Sequence, residues 1–126
     1  MSGKILLFGF DSLPEIVSLA AAVKPFGVAA VPVAKQDYSK TIGVLAGVDQ
    51  PASEPRPYAG GPLGGRMLVL CDVSEKLDDV LAALRGAGIG PECLKAVLTE
   101  HNRRWDPVAL HGELLRERQE LKGKNR

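Results

Sequence analysis

Residues 98–105, LTEHNRRW, carry a dense set of side chains that could bind a ligand or take part in a reaction. They include a threonine, a glutamate, a histidine, an asparagine, two arginines and the only tryptophan of the chain, directly after an apolar run. Loops at strand ends often hold binding residues. The same cluster could equally be a connection between a strand and the next helix.

The residues that follow this cluster favour the structural interpretation. Asp106 is a preferred N-cap residue and Pro107 a preferred first helical residue, so the sequence predicts that a helix begins here. Trp105 then precedes the N-cap, where an apolar side chain commonly packs against the first turn, here against Leu110. Asn102 can hold the turn before it through its side-chain oxygen. On this interpretation two arginines are solvated, Arg103 and Arg104.

One candidate catalytic set combines a thiol with carboxylates. Cys71 ends a predicted strand and precedes Asp72, and Asp11 has a related position after the first strand. A carboxylate beside a thiol raises the pKa of the thiol, which opposes a reactive thiolate. An enzyme built on Asp11, Asp72 and Cys71 is therefore the least favoured of three functional hypotheses.

The histidines and cysteines do not predict a metal centre, because structural zinc needs about four ligands. His101 and His111 are the two histidines, and Cys71 and Cys93 belong to different predicted strands. We expect His111 to be a partly buried structural residue and predict no metal or cofactor. The two cysteines are expected to be reduced core thiols, which favours a cytoplasmic location.

Composition indicates a globular protein without a strong long-range field. The chain has 126 residues, of which 45% are hydrophobic and 25% charged, and its net charge is +1. This balance does not recruit nucleic acid or an anionic membrane, and the first apolar run is too short for a membrane span. An alternative hypothesis is RNA binding by a basic C-terminal helix, which glutamates at helical spacing oppose. Its candidate residues are Arg103, Arg104, Arg116, Arg118, Lys122, Lys124 and Arg126.

The hydrophobic pattern predicts strand, helix, strand and helix twice along the chain. Predicted strands cover residues 4–10, 28–34, 66–73 and 93–99. Predicted helices cover residues 13–24, about 39–47, 77–85 and 107–121, with Ser12 and Ser74 as N-caps of the first and third. Residues 48–65 hold four prolines and four glycines and are predicted to be an irregular linker. We therefore predict one domain made by internal duplication, with βαβα halves at about 1–47 and 66–121.

The first and third strands are apolar at every position, which is typical of strands buried on both faces, so we place them in the centre. Pro32 places the second strand at an edge. The favoured fold is an α/β (two-layer α+β), four-stranded, ferredoxin-like sheet with an antiparallel central pair and both main helices on one face. The alternative is a parallel, doubly wound, three-layer sheet. In the favoured fold the extra helices or a second copy must cover the other face, so a homodimer is predicted as one solution.

The segments RMLVLCDVSEKLDDVLAALRGAGI and LKAVLTEHNRRW resemble an uncharacterised bacterial family, domain of unknown function 3783. The resemblance covers residues 66 to about 120, and more loosely residues 4–60. Four positions match its motif: Lys95, Thr99, Asn102 and Trp105. The resemblance implies no activity, substrate or cofactor. The leading hypothesis is a small non-enzymatic cytoplasmic domain that binds a protein partner or a small effector, with these residues and their counterpart at Gln36 and Tyr38 as the first surface to test.

Overall fold

A computed structural model describes residues 3–51 and 56–124, with side chains described as far as residue 120. The strands are β1 (Lys4–Phe8), β2 (Ala29–Pro32), β3 (Met67–Cys71) and β4 (Leu94–Val97). The α-helices are α1 (Leu13–Val23), α2 (Ile42–Leu45), α3 (Leu77–Gly86) and α4 (Pro107–Lys124). Single 3-10 turns lie at Lys24–Phe26, Lys35–Asp37, Ser74–Lys76 and Asn102–Arg104.

The four strands form one mixed sheet in the order β2-β1-β3-β4. The central strands β1 and β3 are antiparallel, whereas β1 pairs with β2 and β3 with β4 in parallel. The predicted fold class and its antiparallel central pair are confirmed, and the all-parallel alternative is wrong. The strand order differs from the favoured ferredoxin-like order. Here the two strands of each half lie side by side, whereas ferredoxin-like folds place a strand of the other half between them. A connection between neighbouring strands is the commoner arrangement.

Both faces of the sheet are covered by the chain itself. Helices α1 and α3 pack on one face, against a cluster that includes Ile5, Leu7, Leu68 and Leu70. On the opposite face lie α2, the first turns of α4 and Tyr38, against Leu6, Phe8, Met67 and Val69. The central strands are therefore apolar at every position because each has neighbours on two sides, as predicted. No second copy is needed to cover the sheet.

Side chains cap three of the helices. The Ser12 hydroxyl accepts from the Glu15 N–H (3.4 Å), and the Thr41 hydroxyl accepts from the Val44 N–H (3.3 Å). Asp106 accepts from the Ala109 N–H (2.8 Å), which confirms it as the N-cap of α4. Ser74 was predicted to be an N-cap, and this is wrong: residues 74–76 form a 3-10 turn, and no side chain caps α3.

The helix predicted at about 39–47 is shorter in the structure. Residues 35–37 form a 3-10 turn, and α2 contains only four residues. The glycine at position 47 has a left-handed backbone (φ +82°), a conformation that ends a helix. None of the described helices is both long enough and apolar enough to cross a membrane.

The residue that follows each central strand has a positive φ. Gly9 follows β1 with φ +77°, and Asp72 follows β3 with φ +57°. The left-handed region is readily accessible to glycine but costs other residues free energy. The two strands therefore leave the sheet through the same sharp turn, and only at β1 does the sequence supply glycine.

Candidate functional site

Asn102 makes the central hydrogen bonds of the β4 corner, which we define as residues 97–105. Its side-chain oxygen accepts from the Thr99 N–H (2.9 Å), and its side-chain amide donates to the Val97 carbonyl (3.0 Å). In return, the Asn102 N–H donates to the Thr99 hydroxyl (3.0 Å). Asn102 is only 9% exposed. These bonds hold the turn between β4 and α4, which is the role that the sequence predicted for this side chain.

The same amide covers part of the free edge of β4. The N–H groups of Leu94 and Leu98 donate to β3, so the backbone groups of alternate residues face away from the sheet. Two of these outward groups, the Val97 carbonyl and the Thr99 N–H, are the partners of Asn102. Unpaired edge groups invite pairing with another chain. Asn102 therefore both fixes the corner and blocks one end of this edge.

Lys95 acts at the other end of the β4 edge. Its ammonium donates to the carbonyls of Gly90 and Cys93 (both 3.0 Å), and the Cys93 N–H donates to the Gly90 carbonyl (3.2 Å). The bonds of Lys95 and Asn102 thus occupy outward backbone groups at both ends of β4, at Cys93 and from Val97 to Thr99.

The β4 corner also holds α2 in place. The Trp105 carbonyl accepts from the Ile42 N–H (2.8 Å), which has no partner within the helix. The Arg103 guanidinium binds Asp49 through two nitrogens, one of them at 3.2 Å, and also binds Glu100 (3.1 Å). Hydrogen bonding from Arg103 lowers the pKa of the Asp49 carboxyl. The prediction that Arg103 is solvated is therefore wrong, whereas Arg104 is exposed as expected.

Trp105 packs at the start of α4. It is partly buried against the cluster that contains Leu110, as predicted for the residue before the N-cap. The His101 ring meets the indole edge-on, with the ring centroids 4.9 Å apart. Each of these contacts is intramolecular, and together they give the corner a structural role.

Gln36 and Tyr38 lie at the opposite end of the sheet. Tyr38 is 4% exposed and contacts Phe8 and Tyr58, with ring centroids 5.8 and 5.6 Å away. The Gln36 carbonyl accepts from the Tyr58 N–H (2.9 Å). Phe8 pairs with Met67 at one end of the sheet and Val97 with Leu70 near the other. The residues after Tyr38, Ser39–Thr41, line a cavity of about 840 Å³ together with Glu100, Arg103 and Arg104 of the β4 corner.

The structure separates the candidate catalytic residues. Asp72 follows Cys71, which pairs with Lys4 at the start of β1, whereas Asp11 lies beyond the end of β1. The length of β1 places the backbones of the two aspartates at least about 13 Å apart along the strand. Burial raises the pKa of the Cys71 thiol to about 11, so the thiol stays protonated at neutral pH. The expectation that Asp11, Asp72 and Cys71 could form one site is therefore wrong. Among the described residues, no three metal-ligating side chains are grouped closely enough to hold an ion.

The basic residues of α4 that can be described are occupied. Arg116 binds Glu113 (3.1 Å) and Glu120 on its own helix, and Arg118 donates to the Pro91 carbonyl (2.6 Å). The side chains of Lys122, Lys124 and Arg126 lie outside the described residues. Nothing in this geometry favours RNA binding over the ordinary ion pairs of a surface helix.

A crevice opens at the carboxyl ends of β1 and β2. β1 continues into α1 on one face of the sheet, while β2 continues into Tyr38 and α2 on the other face. Neighbouring parallel strands whose connections leave to opposite faces form a gap between them, where α/β proteins bind ligands. The cavity at this point has a volume of about 570 Å³, and we call it the β1/β2 crevice. It is lined by Leu7, Gly9–Asp11, Pro32–Lys35, Tyr38 and Pro62–Arg66.

Arg66 forms the rigid wall of the β1/β2 crevice. Its guanidinium binds Glu15 at the start of α1 and Glu92 before β4, and lies 5.1 Å above the Phe10 ring. Burial raises the pKa of Tyr38 on the facing wall, against a hydrogen bond with the Gly9 backbone and with a smaller contribution from Asp11. The tyrosine hydroxyl is therefore protonated at neutral pH. The remaining walls are apolar, with charged side chains at the rim from Asp11 and Lys35.

The carboxyl ends of β3 and β4 have the same topology but a different surface. β3 continues into α3 on one face and β4 into α4 on the other. The cavity at that end is lined by Gly3, Phe26–Val28 and Asp72–Lys76, and no residue of the β4 corner contributes to it. This cavity has a volume of about 660 Å³ and lies between the end of β3 and the segments that precede β1 and β2.

Comparisons with known proteins bear on the second half of the chain. Residues 66–121 match the family model described as Domain of unknown function (DUF3783). This match confirms the resemblance over residues 66 to about 120, while the looser resemblance of residues 4–60 stays a prediction. No curated protein and no solved structure matched the chain.

The DUF3783 match covers the β4 corner but little of the crevice. Lys95, Thr99, Asn102 and Trp105 all lie inside the matched region, where each makes the intramolecular contacts described above. Of the crevice residues, only Arg66 is inside it. These contacts support the structural interpretation of the motif. The sequence signal for the crevice is weaker than this motif. It consists of the glycines at positions 9, 64 and 65, which lie beside buried strands.

His111 gives the protein a predicted sensitivity to mild acid. It is 5% exposed, as expected of a structural histidine, and burial lowers its pKa below the ordinary value. Below a pH of about 6.5 the unfolded chain takes up a proton that the folded chain resists. We therefore expect the free energy of unfolding to fall as the pH is lowered from about 7.5 to 5.5. This range lies above the ordinary pKa of carboxyls, so ordinary carboxyl groups stay ionised throughout it.

The measurement is the urea midpoint at both pH values for the wild type and for His111→Gln, with exposed His101→Gln as the control. The wild type and His101→Gln should lose stability over this range, and His111→Gln should lose less. An equal loss in His111→Gln would show that another group titrates.

Proposed function

We propose that this protein is a non-catalytic binding domain and that the β1/β2 crevice holds a small effector. The observation that carries this proposal is the open crevice where the connections of β1 and β2 diverge, at a position suited to ligand binding. The volume of about 570 Å³ is within the range of small-molecule sites, roughly 300–1,000 Å³. The catalytic alternative loses support because its three residues lie at opposite ends of the sheet.

The lining of the crevice suggests the kind of effector. Phe10, Val33 and Leu63 offer apolar contact, and Asp11 and Lys35 place one charge of each sign at the rim. The Arg66 guanidinium is already bound by two carboxylates, so it serves as a wall rather than as a free anion receptor. We propose a small molecule with an apolar body and a charged group that reaches the rim.

Two further features are part of this proposal. The matching topology of the β1-α1-β2 and β3-α3-β4 units supports an internal duplication. A cytoplasmic location is supported by two free, buried thiols in the described part of the chain.

Filling the crevice is expected to abolish binding of a simple probe. Ala34 is exposed, lines the crevice and has an extended backbone (φ −70°, ψ 146°) that accepts any side chain, so Ala34→Trp should fill the space and leave the fold intact. 3-Phenylpropionate and phenethylamine are the probes, since each joins a ring to one charge. NMR titration of the wild type should give a dissociation constant of about 1 mM or lower for at least one of them.

The matched control is Ala82→Trp, on the exposed side of α3 and away from the crevice. This variant should bind the probe like the wild type, while Ala34→Trp should not. Failure of both probes to bind the wild type, or equal binding by the two variants, would refute the proposed site.

A further inference from the structure

The outer face of α1 is apolar, whereas that of α3 is polar. Leu13 and Val17 are 69% and 59% exposed, and Ala21 continues the same stripe one turn further. The exposed positions of α3 include Asp78, Asp79 and Arg85. The two helices lie on the same face of the sheet and cover equivalent strands, so the difference does not come from their place in the fold.

No charge interrupts the apolar stripe of α1. Glu15 is the single charged residue of this helix, and it points to Arg66 and is bound there. A helix that is apolar on nearly all sides is normally buried all round. The outer face of α1 therefore has the composition of a covered surface.

We propose that a second copy of this chain covers it, with the two α1 helices packed antiparallel across a two-fold axis at Val17. The stripe is suited to this arrangement because Leu13 and Ala21 lie four residues on either side of Val17, so each Leu13 meets the small Ala21 of its partner. Side chains spaced by four residues form the ridges that interlock when helices pack. Such a contact is isologous and closes as a dimer.

The charges at the ends of α1 complement each other in this arrangement. Lys24 follows the last residue of α1, and Asp11 precedes its N-cap, and both side chains are exposed. Antiparallel packing brings the lysine of each copy beside the aspartate of the other, twice by symmetry. Parallel packing would instead bring like charges together.

The contact is small, so the dimer is expected to be weak. One helix face buries much less than the roughly 800 Å² per partner of a standard stable interface. We expect monomers at low micromolar concentration and dimers as the concentration approaches millimolar. Asp11 also lies at the rim of the β1/β2 crevice, but Leu13, Val17 and Ala21 do not line it, so the apolar contact does not depend on the proposed effector site.

Cross-linking at the symmetry axis tests this arrangement. In Val17→Cys the two introduced thiols face each other, and diamide takes up the two electrons and two protons released when they form a disulfide. The native cysteines are both buried. At near-millimolar protein, Val17→Cys should form a covalent dimer severalfold faster than Ala82→Cys, its exposed counterpart on α3. Equal rates would overturn the proposal.

Two further measurements test whether the partner is a second copy of the chain and whether the two α1 helices pack antiparallel. Light scattering of the wild type should give a mass that rises with concentration, while Val17→Lys should remain monomeric with an unchanged melting temperature. Lys24→Glu should slow cross-linking in the Val17→Cys background, and adding Asp11→Lys should restore it. A wild type that stays monomeric near millimolar concentration, or a charge exchange without effect, would contradict the antiparallel homodimer.

Discussion

Replacing Asn102 with alanine is expected to lower the free energy of unfolding by about 1–3 kcal/mol. The substitution removes the acceptor of the Thr99 N–H and the donor to the Val97 carbonyl, and it removes both from a nearly buried position. Each bond contributes about 0.5–1.5 kcal/mol net, because Val97 and Thr99 are exposed and water can partly replace the amide. The freed groups lie on the edge of β4, so we also expect the variant to aggregate more readily than the wild type. Urea unfolding followed by circular dichroism measures the first effect, and light scattering measures the second.

Two variants isolate the cause of this loss. Asn102→Asp keeps an oxygen for the Thr99 N–H but turns a second, unprotonated oxygen towards the Val97 carbonyl, so it should also be destabilised at neutral pH. Glu100→Ala changes an exposed residue of the same turn and should alter stability by less than about 0.5 kcal/mol. An Asn102→Ala protein as stable as Glu100→Ala would contradict the structural role of the corner.

Replacing Gly9 with alanine is expected to destabilise the protein by about 2–3 kcal/mol. Gly9 has φ +77°, which is unfavourable for alanine, and an added Cβ would lie 2.9 Å from the Gly65 carbonyl oxygen. That oxygen belongs to the backbone that lines the crevice beside Gly9. It cannot move aside as a flexible side chain can. The same change should therefore distort the crevice between β1 and the segment before β3. Thermal and urea unfolding report the loss.

Gly27→Ala separates the two causes, because Gly27 has a similar φ of +72° with open space around it. The free energy of unfolding of Gly27→Ala should fall only by the cost of a positive φ for alanine, about 1–2 kcal/mol. At the equivalent position after β3, Asp72→Gly should gain up to about 1 kcal/mol, since it relieves the positive φ there. Equal losses for Gly9→Ala and Gly27→Ala would show that the close approach to Gly65 has no energetic effect.

Much of the fold could be predicted because local patterns determined it. Continuous apolar runs in β1 and β3 indicated burial on both faces, and Pro32 indicated an edge. Asp106, Pro107 and Trp105 indicated the start of α4, because capping preferences depend on residues close in sequence. The bonding of Asn102 within its turn is local in the same way.

Features that depend on distant residues could not be predicted. Arg103 was expected in solvent, but its partner Asp49 is 54 residues away. An added Cβ at Gly43 would overlap that carboxylate and lie 3.0 Å from the Arg103 carbonyl oxygen, so a glycine that had no evident role in the sequence makes room for this ion pair. No periodicity in either segment reports such a contact.

The crevice also escaped prediction, because it depends on strand order. Its walls come from three separate segments, and their meeting requires that β1 lies between β2 and β3. The sequence alone indicated the polar cluster after β4 as the first candidate site. In the structure Asn102 and Trp105 are bound internally, while Glu100, Arg103 and Arg104 line a cavity of about 840 Å³ beside α2. The β1/β2 crevice lies at the opposite end of the sheet.

One measurement tests this account most directly: a map of backbone amide shifts in the wild-type protein during titration with 3-phenylpropionate or phenethylamine. We expect the largest shifts at Gly9, Gly64 and Gly65, and no comparable shifts between Thr99 and Trp105. The largest shifts at the β4 corner, with none around Gly9, would contradict the claim that the corner is structural and that the β1/β2 crevice binds the effector.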